Sequence, residues 1–200
     1  MKEALLTILR DKNTSLDAFR AASRKLSSML AAEVAAKIKQ KVVSIETTLA
    51  KANGFEVAQD VVLVPILRSG IALLPSFMYF FDHARVGFLG MRRDEKTALP
   101  KMYYENLPTF HKEEWVLLLD PMIATGGSSK EAIKKVIEKG AQQENIYLIG
   151  IVAAPEGIQT IEKEFPKVKV HVVAIDEKLN DKKFIVPGLG DFGDRFFGSK

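Results

Sequence analysis

Short apolar runs alternate with amphipathic stretches along most of this 200-residue chain. The runs have the length of buried strands, and the stretches between them repeat with the 3.6-residue period of a helix. Regular alternation of strands and helices is typical of an α/β fold, a mostly parallel sheet flanked by helices. The pattern predicts strands over 61–66, 85–91, 115–119, 146–153 and 168–175, and helices over 70–81, 129–139 and 156–165.

The N-terminal region has a helical pattern over residues 15–52 and no chemical motif. Asn53-Gly54 is a typical end to such a segment, so residues 1–60 are predicted to be a helical N-terminal region. One apolar stripe at helical spacing supports this prediction, formed by Val34, Ile38, Val42, Ile45 and Leu49.

Two stretches do not fit the alternation of strands and helices. Residues 92–112 are polar, charged and aromatic, and predict a long arm or hairpin, a kind of segment that is usually functional or mobile. Residues 176–200 are too rich in glycine for a regular element, but their apolar side chains indicate that the tail packs against the rest. We expect one domain over residues 1–200.

Composition excludes several classes of protein. With 47% hydrophobic and 27% charged residues the chain is neither disordered nor membrane-embedded, and the absence of cysteine excludes disulfides and thiolate metal sites. The N-terminus lacks the apolar segment of a signal peptide, which favours a cytoplasmic location. The net charge of +4 comes from lysines mixed with glutamates, so neither nucleic acid nor a membrane is an expected partner.

The segment from Asp120 to Ser129 joins a predicted strand to a predicted helix and carries the clearest chemistry. Backbone N–H groups at a helix start attract anions, and adjacent glycines let the backbone wrap closely around a phosphate. The P-loop lysine and the three-glycine dinucleotide fingerprint are both missing. Asp120 suits sugar hydroxyls or a metal, so the loop predicts a phosphorylated-sugar site with small and hydroxyl residues at Thr125, Gly126, Gly127, Ser128 and Ser129.

This loop resembles the 5-phosphoribosyl 1-diphosphate (PRPP) loop of type I phosphoribosyltransferases. Its sequence, Asp-Pro-Met-Ile-Ala-Thr-Gly-Gly-Ser, is similar to that of the uracil phosphoribosyltransferases. Further segments resemble the pyrophosphate loop, the mobile arm and the base-binding end of that family. They are residues 64–70, 93–97 with Tyr103 and Tyr104, 152–158 and 185–191, so the resemblance runs from about residue 61 to the C-terminus.

The resemblance implies transfer of the phosphoribosyl group from PRPP to uracil, giving UMP and pyrophosphate, with Mg²⁺ as cofactor. Asp120, Asp191 and Arg93 are the implied catalytic residues. Uracil would contact Ile185, Gly190, Asp191 and Phe192. No residue is expected to bind the metal directly, since Mg²⁺ would be held through PRPP and water with Asp191 nearby. The implied PRPP contacts are Arg68, Arg93, Asp120, Pro121, Met122, Ile123, Ala124, Thr125, Gly126, Gly127, Ser128 and Asp191.

Several alternatives stay open at this point. The Arg68 loop is expected to contain a non-proline cis peptide, and either Arg92 or Arg93 would reach pyrophosphate, Arg93 being favoured. Asp191 would act as a base toward uracil or as a contact for PRPP. A different base, a non-catalytic regulator that binds RNA, and a generic nucleotide-binding module are the competing functions. The family also implies at least a homodimer and GTP as a potential effector.

Overall fold

The computed structural model describes residues 1–93 and 100–199, apart from the side chain of Arg93. The chain begins with two helices, α1 (Lys2–Arg10) and α2 (Leu16–Ala35). Their apolar faces are buried, with Leu9, Leu26 and Leu30 fully covered. No helix within the described ranges combines the length and the apolarity needed to span a bilayer.

The predicted helix over 15–52 is wrong beyond residue 35. Residues 40–57 form an antiparallel hairpin of β1 (Gln40–Glu46) and β2 (Lys51–Val57), with the turn at 47–50 rather than at Asn53-Gly54. Thr47 closes that turn, because its backbone N–H donates to the carbonyl of Ala50 at 2.9 Å. Of the apolar residues that suggested one helical stripe, Val42, Ile45 and Leu49 are instead exposed on this hairpin, whereas Val34 is buried in α2.

The remaining elements follow the predicted α/β alternation. In chain order they are β3 (Val61–Leu67), α3 (Leu74–Phe80), β4 (Arg85–Val86), β5 (Phe88–Arg93), β6 (Pro100–Asn106), β7 (Trp115–Leu119), β8 (Met122–Ile123), α4 (Gly127–Glu138), β9 (Ile146–Ala153), α5 (Pro155–Glu164), β10 (Lys169–Ile175), β11 (Lys178–Leu179), β12 (Ile185–Val186) and α6 (Phe192–Phe197). The predicted helix over 70–81 is split, since Ser69–Ala72 is a 3₁₀ turn and Pro75 lies in the first turn of α3.

Within the described residues, the central sheet has the strand order β10-β9-β7-β3-β5-β6, with β4 beside β3 and β8 beside β9. All of its pairs are parallel except β5 with β6, which form the antiparallel hairpin of the arm. The prediction of a mostly parallel sheet is therefore confirmed, and the arm extends one edge of that sheet.

Helices cover both faces of the sheet, because alternate side chains of each inner strand belong to different cores. On β7, Leu117 and Leu119 pack toward α1, α2 and α3, while Val116 and Leu118 pack toward α4 and α5. Strands buried on both faces read as continuous apolar runs, which explains why β3, β7 and β9 were predicted with nearly correct bounds.

The C-terminal tail is more regular than predicted. The prediction that residues 176–200 form no regular element is wrong, because they include the short pair β11 and β12 and the helix α6. The prediction that the tail packs is confirmed, since Ile185, Leu189 and Phe192 are buried in the core that also contains α1 and α2.

Candidate active site

A cavity of about 560 Å³ opens at the carboxyl ends of β3 and β7, where ligands bind in open α/β sheets. Four segments form its walls: the end of β3 with the Arg68 loop, the arm, the loop from Asp120 to α4, and the tail. The lining residues are Ile66, Leu67, Arg68, Ser69, Met91, Arg92, Pro100, Tyr103, Asp120, Met122, Ile123, Ala124, Thr125, Gly126, Gly127, Ser128, Ser129, Lys183, Asp191, Phe192 and Gly193.

The phosphate-loop prediction is matched by a sharp turn into α4. Gly126 is the residue before the helix, with a left-handed φ of 78°. The hydroxyl oxygen of Thr125 accepts from the N–H of Gly127 at 3.4 Å, and the N–H of Lys130 donates to the carbonyl of Gly126 at 2.8 Å. The N–H groups of residues 127–129 thus lie in the first turn beside the cavity, where a helix has no carbonyls to pair with them and favours an anion.

Replacing Gly126 with alanine should destabilise the protein. A Cβ there would lie 2.8 Å from the carbonyl oxygen of Gly157, and an L-residue pays about 1–2 kcal/mol for the left-handed conformation alone. We expect urea unfolding to show a loss above that value. Gly127→Ala is the matched control, because its Cβ would meet the ring of Pro100 at 3.3 Å and the hydroxyl of Thr125 at 3.5 Å, both side-chain contacts. Equal stability of the two variants would contradict the claim that the turn requires glycine at 126.

Asp120 is a buried carboxylate at the end of β7, with 8% of its surface exposed. One carboxylate oxygen accepts from the hydroxyl of Ser129 at 3.3 Å and the other from the N–H of Met122 at 3.4 Å. Burial raises the pKa of Asp120 to about 6, and these two long hydrogen bonds offset only part of the cost of burying the charge. A cationic or hydroxyl-bearing ligand would therefore stabilise the ionised form.

The Arg68 loop lies directly beside Asp120. A Cβ on Gly70 would lie 2.3 Å from the carbonyl of Leu119, so only glycine allows this approach. The peptide bond between Leu67 and Arg68 is cis, as expected. The Arg68 side chain is 61% exposed and its guanidinium lies 3.4 Å from the carboxylate of Asp194. Arg68 thus carries a positive charge at the rim of the cavity, turned toward the tail.

The arm forms another wall of the cavity. Pro100 and Tyr103 from β6 and Arg92 from β5 line the cavity, and Pro100 lies against Gly127. Arg93 is placed as the last residue of β5, but its side chain lies outside the described part of the chain, as do residues 94–99. The structure therefore places Arg92, the less favoured of the two arginines, in the cavity wall.

The tail brings Asp191 and Phe192 to the cavity, whereas Ile185, Gly190 and Pro121 are outside its lining. Asp191 is the N-cap of α6, since its carboxylate accepts from the N–H of Asp194 at 2.9 Å. The ring of Phe192 is buried and packs at 5.3 Å from the ring of Phe19, so its side chain serves the core.

Two polar lining residues, Ser69 and Lys183, were missed in the sequence, and the role of a third, Ser129, was predicted only in part. Ser129 was noted only as a hydroxyl of the loop and not as the partner of Asp120. Ser69 was not selected because Arg68, its neighbour in the same loop, was the residue suited to binding pyrophosphate. Lys183 lies in the turn before β12 with a positive φ of 63°, which its sequence position gave no reason to expect.

Solved phosphoribosyltransferases have the same fold. An adenine phosphoribosyl transferase from Trypanosoma brucei gives a TM-score of 0.54 at 15% identity, covering 80% of this chain and 68% of that chain. A hypoxanthine-guanine phosphoribosyltransferase from Bacillus anthracis gives 0.52 at 10% identity, covering 80% of each. These likenesses define the class by fold: a type I phosphoribosyltransferase.

More similar relatives define the family. The uracil phosphoribosyltransferase family model matches residues 1–199, and the uracil phosphoribosyltransferase of Mycoplasma genitalium is 44% identical over 195 residues, 98% of this chain and 94% of that protein. A solved protein of Aquifex aeolicus gives a TM-score of 0.90 at 34% identity, covering 98% of this chain and 93% of that one. The chain belongs to the uracil phosphoribosyltransferase family, and the match includes the first sixty residues, where the sequence gave no motif.

Proposed function

We propose that this enzyme transfers the 5-phosphoribosyl group from PRPP to N1 of uracil, giving UMP and pyrophosphate. The observation that carries the proposal is the junction of four segments at one cavity: the Arg68 loop, the arm, the loop from Asp120 to α4, and the tail. PRPP has three groups to hold, and each has a matching wall. The family to which the chain belongs supports uracil as the acceptor.

The 5-phosphate fits the turn into α4. Its negative charge is favoured by the helix start, and residues 125–128 provide both hydroxyls and backbone N–H groups there. Ala124 and the two glycines have little or no side chain, so a phosphate can approach the backbone of the turn. Met122 and Ile123, which form β8, line the same wall and give the ribose ring an apolar contact surface.

Asp120 fits the ribose hydroxyls and Arg68 the pyrophosphate. As pyrophosphate leaves, positive charge develops on C1 and the ring oxygen, as in glycosyl transfer generally. A buried carboxylate next to the ribose stabilises that charge. Arg68 lines the same cavity as Asp120 and can bind the leaving group with its guanidinium once a phosphate replaces Asp194 as partner.

Magnesium fits this cavity as an ion that arrives with PRPP. Among the described residues there is no group of three carboxylate or histidine side chains able to hold a metal. Two carboxylates, Asp120 and Asp191, nevertheless line the cavity, and Mg²⁺ prefers such oxygens together with phosphate and water. When bound, the ion would neutralise charge on the departing pyrophosphate.

The arm would close the site. Arg93 by family resemblance, and Arg92 by its place in the cavity wall, are the candidates for covering the pyrophosphate, and closure would exclude water. Hydrogen exchange of β6 with and without Mg²⁺–PRPP measures this role. Greater protection in the complex is expected, and equal protection would make the arm a static wall.

The assembly proposed for the enzyme is a homodimer in the cytoplasm. The hairpin of β1 and β2 leaves large apolar side chains uncovered, including Leu49 at 96% and Phe55 at 68% exposure, and a second copy of the chain would bury them. Light scattering of the purified protein gives its mass directly, and a monomer at micromolar concentration would refute the dimer. GTP activation is a separate proposal from the family, tested by assaying with and without GTP.

The direct test of the function is formation of UMP from uracil and PRPP, followed by chromatography. Asp120→Asn provides the blank for non-enzymatic decay of PRPP. UMP above that blank, with one pyrophosphate released per UMP, is the expected result. Pyrophosphate release without UMP would mean that the enzyme hydrolyses PRPP or uses another acceptor.

A further inference from the structure

The N-terminal helix α1 is joined to the base-binding tail by charged side chains that the proposed mechanism has not used. Arg10, the last residue of α1, binds Asp176 with both guanidinium nitrogens, at 2.5 and 2.8 Å. The side chain of Asp176 is only 3% exposed. This bidentate pair connects two positions 166 residues apart in the sequence.

The pair also binds both backbone groups of Gly188. Asp176 accepts from the N–H of Gly188 at 2.8 Å, and Arg10 donates to its carbonyl at 2.8 Å. Gly188 has a φ of 62° and follows the cis peptide bond of Pro187, so it is the bend that leads into the base segment. Hydrogen bonding by Arg10 and Gly188 outweighs burial and lowers the pKa of Asp176, which keeps this contact charged.

A second arginine fixes the next carbonyl. Arg195 of α6 donates to the carbonyl of Leu189 at 2.7 Å, and also to the carbonyls of Leu9 and of Asp11, the latter at 2.6 Å, at the end of α1. Its guanidinium lies 4.4 Å from the centre of the Phe19 ring on α2. Arg10, Asp176 and Arg195 are here called the tail clamp.

The tail clamp determines where the following N–H groups point. In a trans peptide the carbonyl of one residue and the N–H of the next lie in one plane and point in opposite directions. Because the carbonyls of Gly188 and Leu189 are held toward α1, the N–H groups of Leu189 and Gly190 face the opposite side of the segment. These are the residues that lead directly into Asp191, which lines the cavity.

We infer that the tail clamp positions the backbone of residues 188–190 for recognition of uracil, so that Arg10, Asp176 and Arg195 are positioning residues for the base. Uracil has carbonyl oxygens that accept hydrogen bonds from a rigid backbone, and a misplacement of about 1 Å can cost about 100-fold in rate. The inference rests on the proposed function, since it assigns these residues to the uracil half of the same site.

The predicted consequence is a selective loss of base recognition. Asp176→Asn and Arg195→Gln should lower kcat/KM for uracil about 10–100-fold. KM for PRPP should stay within about twofold of the wild-type value, because the α4 turn and Asp120 do not contact the clamp and Asp191 keeps its own hydrogen bond from the N–H of Asp194. Binding of UMP, measured by calorimetry, should weaken while binding of ribose 5-phosphate does not. Arg10→Lys should recover part of the loss of Arg10→Gln by restoring a charge at Asp176.

Controls distinguish a loss of base positioning from a general loss of stability. Lys2→Gln removes another ion pair of α1, between Lys2 and Glu33 at 2.5 Å, which does not touch the tail, and should leave both substrates unaffected. Buried Leu5, Leu6 and Leu9 keep α1 in place in all variants, and thermal unfolding checks this.

The inference is overturned if the clamp variants bind uracil like wild type, or if UMP and ribose 5-phosphate weaken equally. If Asp176→Asn does not fold, Arg10→Lys still tests the inference. Lysine keeps a positive charge beside Asp176 but loses the bidentate geometry of the guanidinium, so base recognition should weaken without loss of the fold. Absence of UMP formation by the wild-type enzyme would instead count against the proposed function, and so the two failures are distinguishable.

Discussion

Asp120→Asn is expected to make the ligand-free protein more stable and the enzyme nearly inactive. Loss of a charge contact in the transition state should lower kcat/KM for PRPP about 10²–10³-fold. The gain in stability has a separate cause, the burial of an ionised carboxylate whose hydrogen bonds to Ser129 and Met122 are 3.3 and 3.4 Å long. Asp120 would thus assist the reaction while lowering the stability of the fold.

The stability difference between Asp120→Asn and the wild type should depend on pH. The pKa of Asp120 is about 6 in the folded protein and has an ordinary value of 3.8, so the folded state binds more protons between these pH values. The contribution of Asp120 to the free energy of unfolding therefore falls as pH rises from about 4 to about 6, by about 2–3 kcal/mol. The variant lacks this fall, so its advantage should be absent at pH 4 and complete above pH 6.

Urea unfolding of both proteins at pH 4, 6 and 8 measures the difference, in the absence of phosphate. Ser129→Ala is a useful companion, because it removes one hydrogen bond from the carboxylate and should raise the pKa of Asp120 further. If Asp120→Asn is less stable than wild type at pH 8, the claim that the buried Asp120 carboxylate destabilises the folded protein is wrong.

Asp191→Asn should weaken PRPP binding at fixed Mg²⁺ by about 100-fold without changing stability. Asparagine is as good an N-cap as aspartate, so α6 should keep the hydrogen bond from the N–H of Asp194. The substitution thus removes only the charge that faces the cavity. Asp191→Ala serves as the matched variant, since it also loses the cap and should cost about 1 kcal/mol of stability.

Calorimetry and steady-state kinetics separate three roles for Asp191. A contact to PRPP and its metal lowers PRPP affinity, which is the expected result. A general base toward uracil would instead lower kcat, typically by about 10²–10⁴-fold, with PRPP affinity unchanged. If both PRPP affinity and kcat keep their wild-type values, Asp191 serves only as the N-cap of α6.

Much of the sheet could be predicted from the sequence because its inner strands are buried on both faces. β3, β7 and β9 are runs of strand length without a charged residue, as expected for strands buried on both faces. The α4 turn was equally visible, because its glycines and hydroxyls are consecutive in the chain. Local sequence was sufficient wherever the physical cause was local.

Features with distant causes were missed. Val42, Ile45 and Leu49 fall at helical spacing, but they lie on a hairpin whose partner residues are about ten positions away, and none of them is buried in the chain. Arg10 and Asp176 form an ion pair across 166 residues, and no local pattern in the sequence indicates it. Such pairs are invisible until the fold brings them together.

The most direct measurement for the central claim is a base panel of uracil, cytosine, hypoxanthine, guanine and orotate, each with PRPP and Mg²⁺, monitored by pyrophosphate release and identification of the nucleotide. Uracil alone should give substantial turnover, with UMP as product and Asp120→Asn as the inactive control. Efficient use of a purine with no UMP formed would contradict the assignment of this cavity to phosphoribosyl transfer onto uracil.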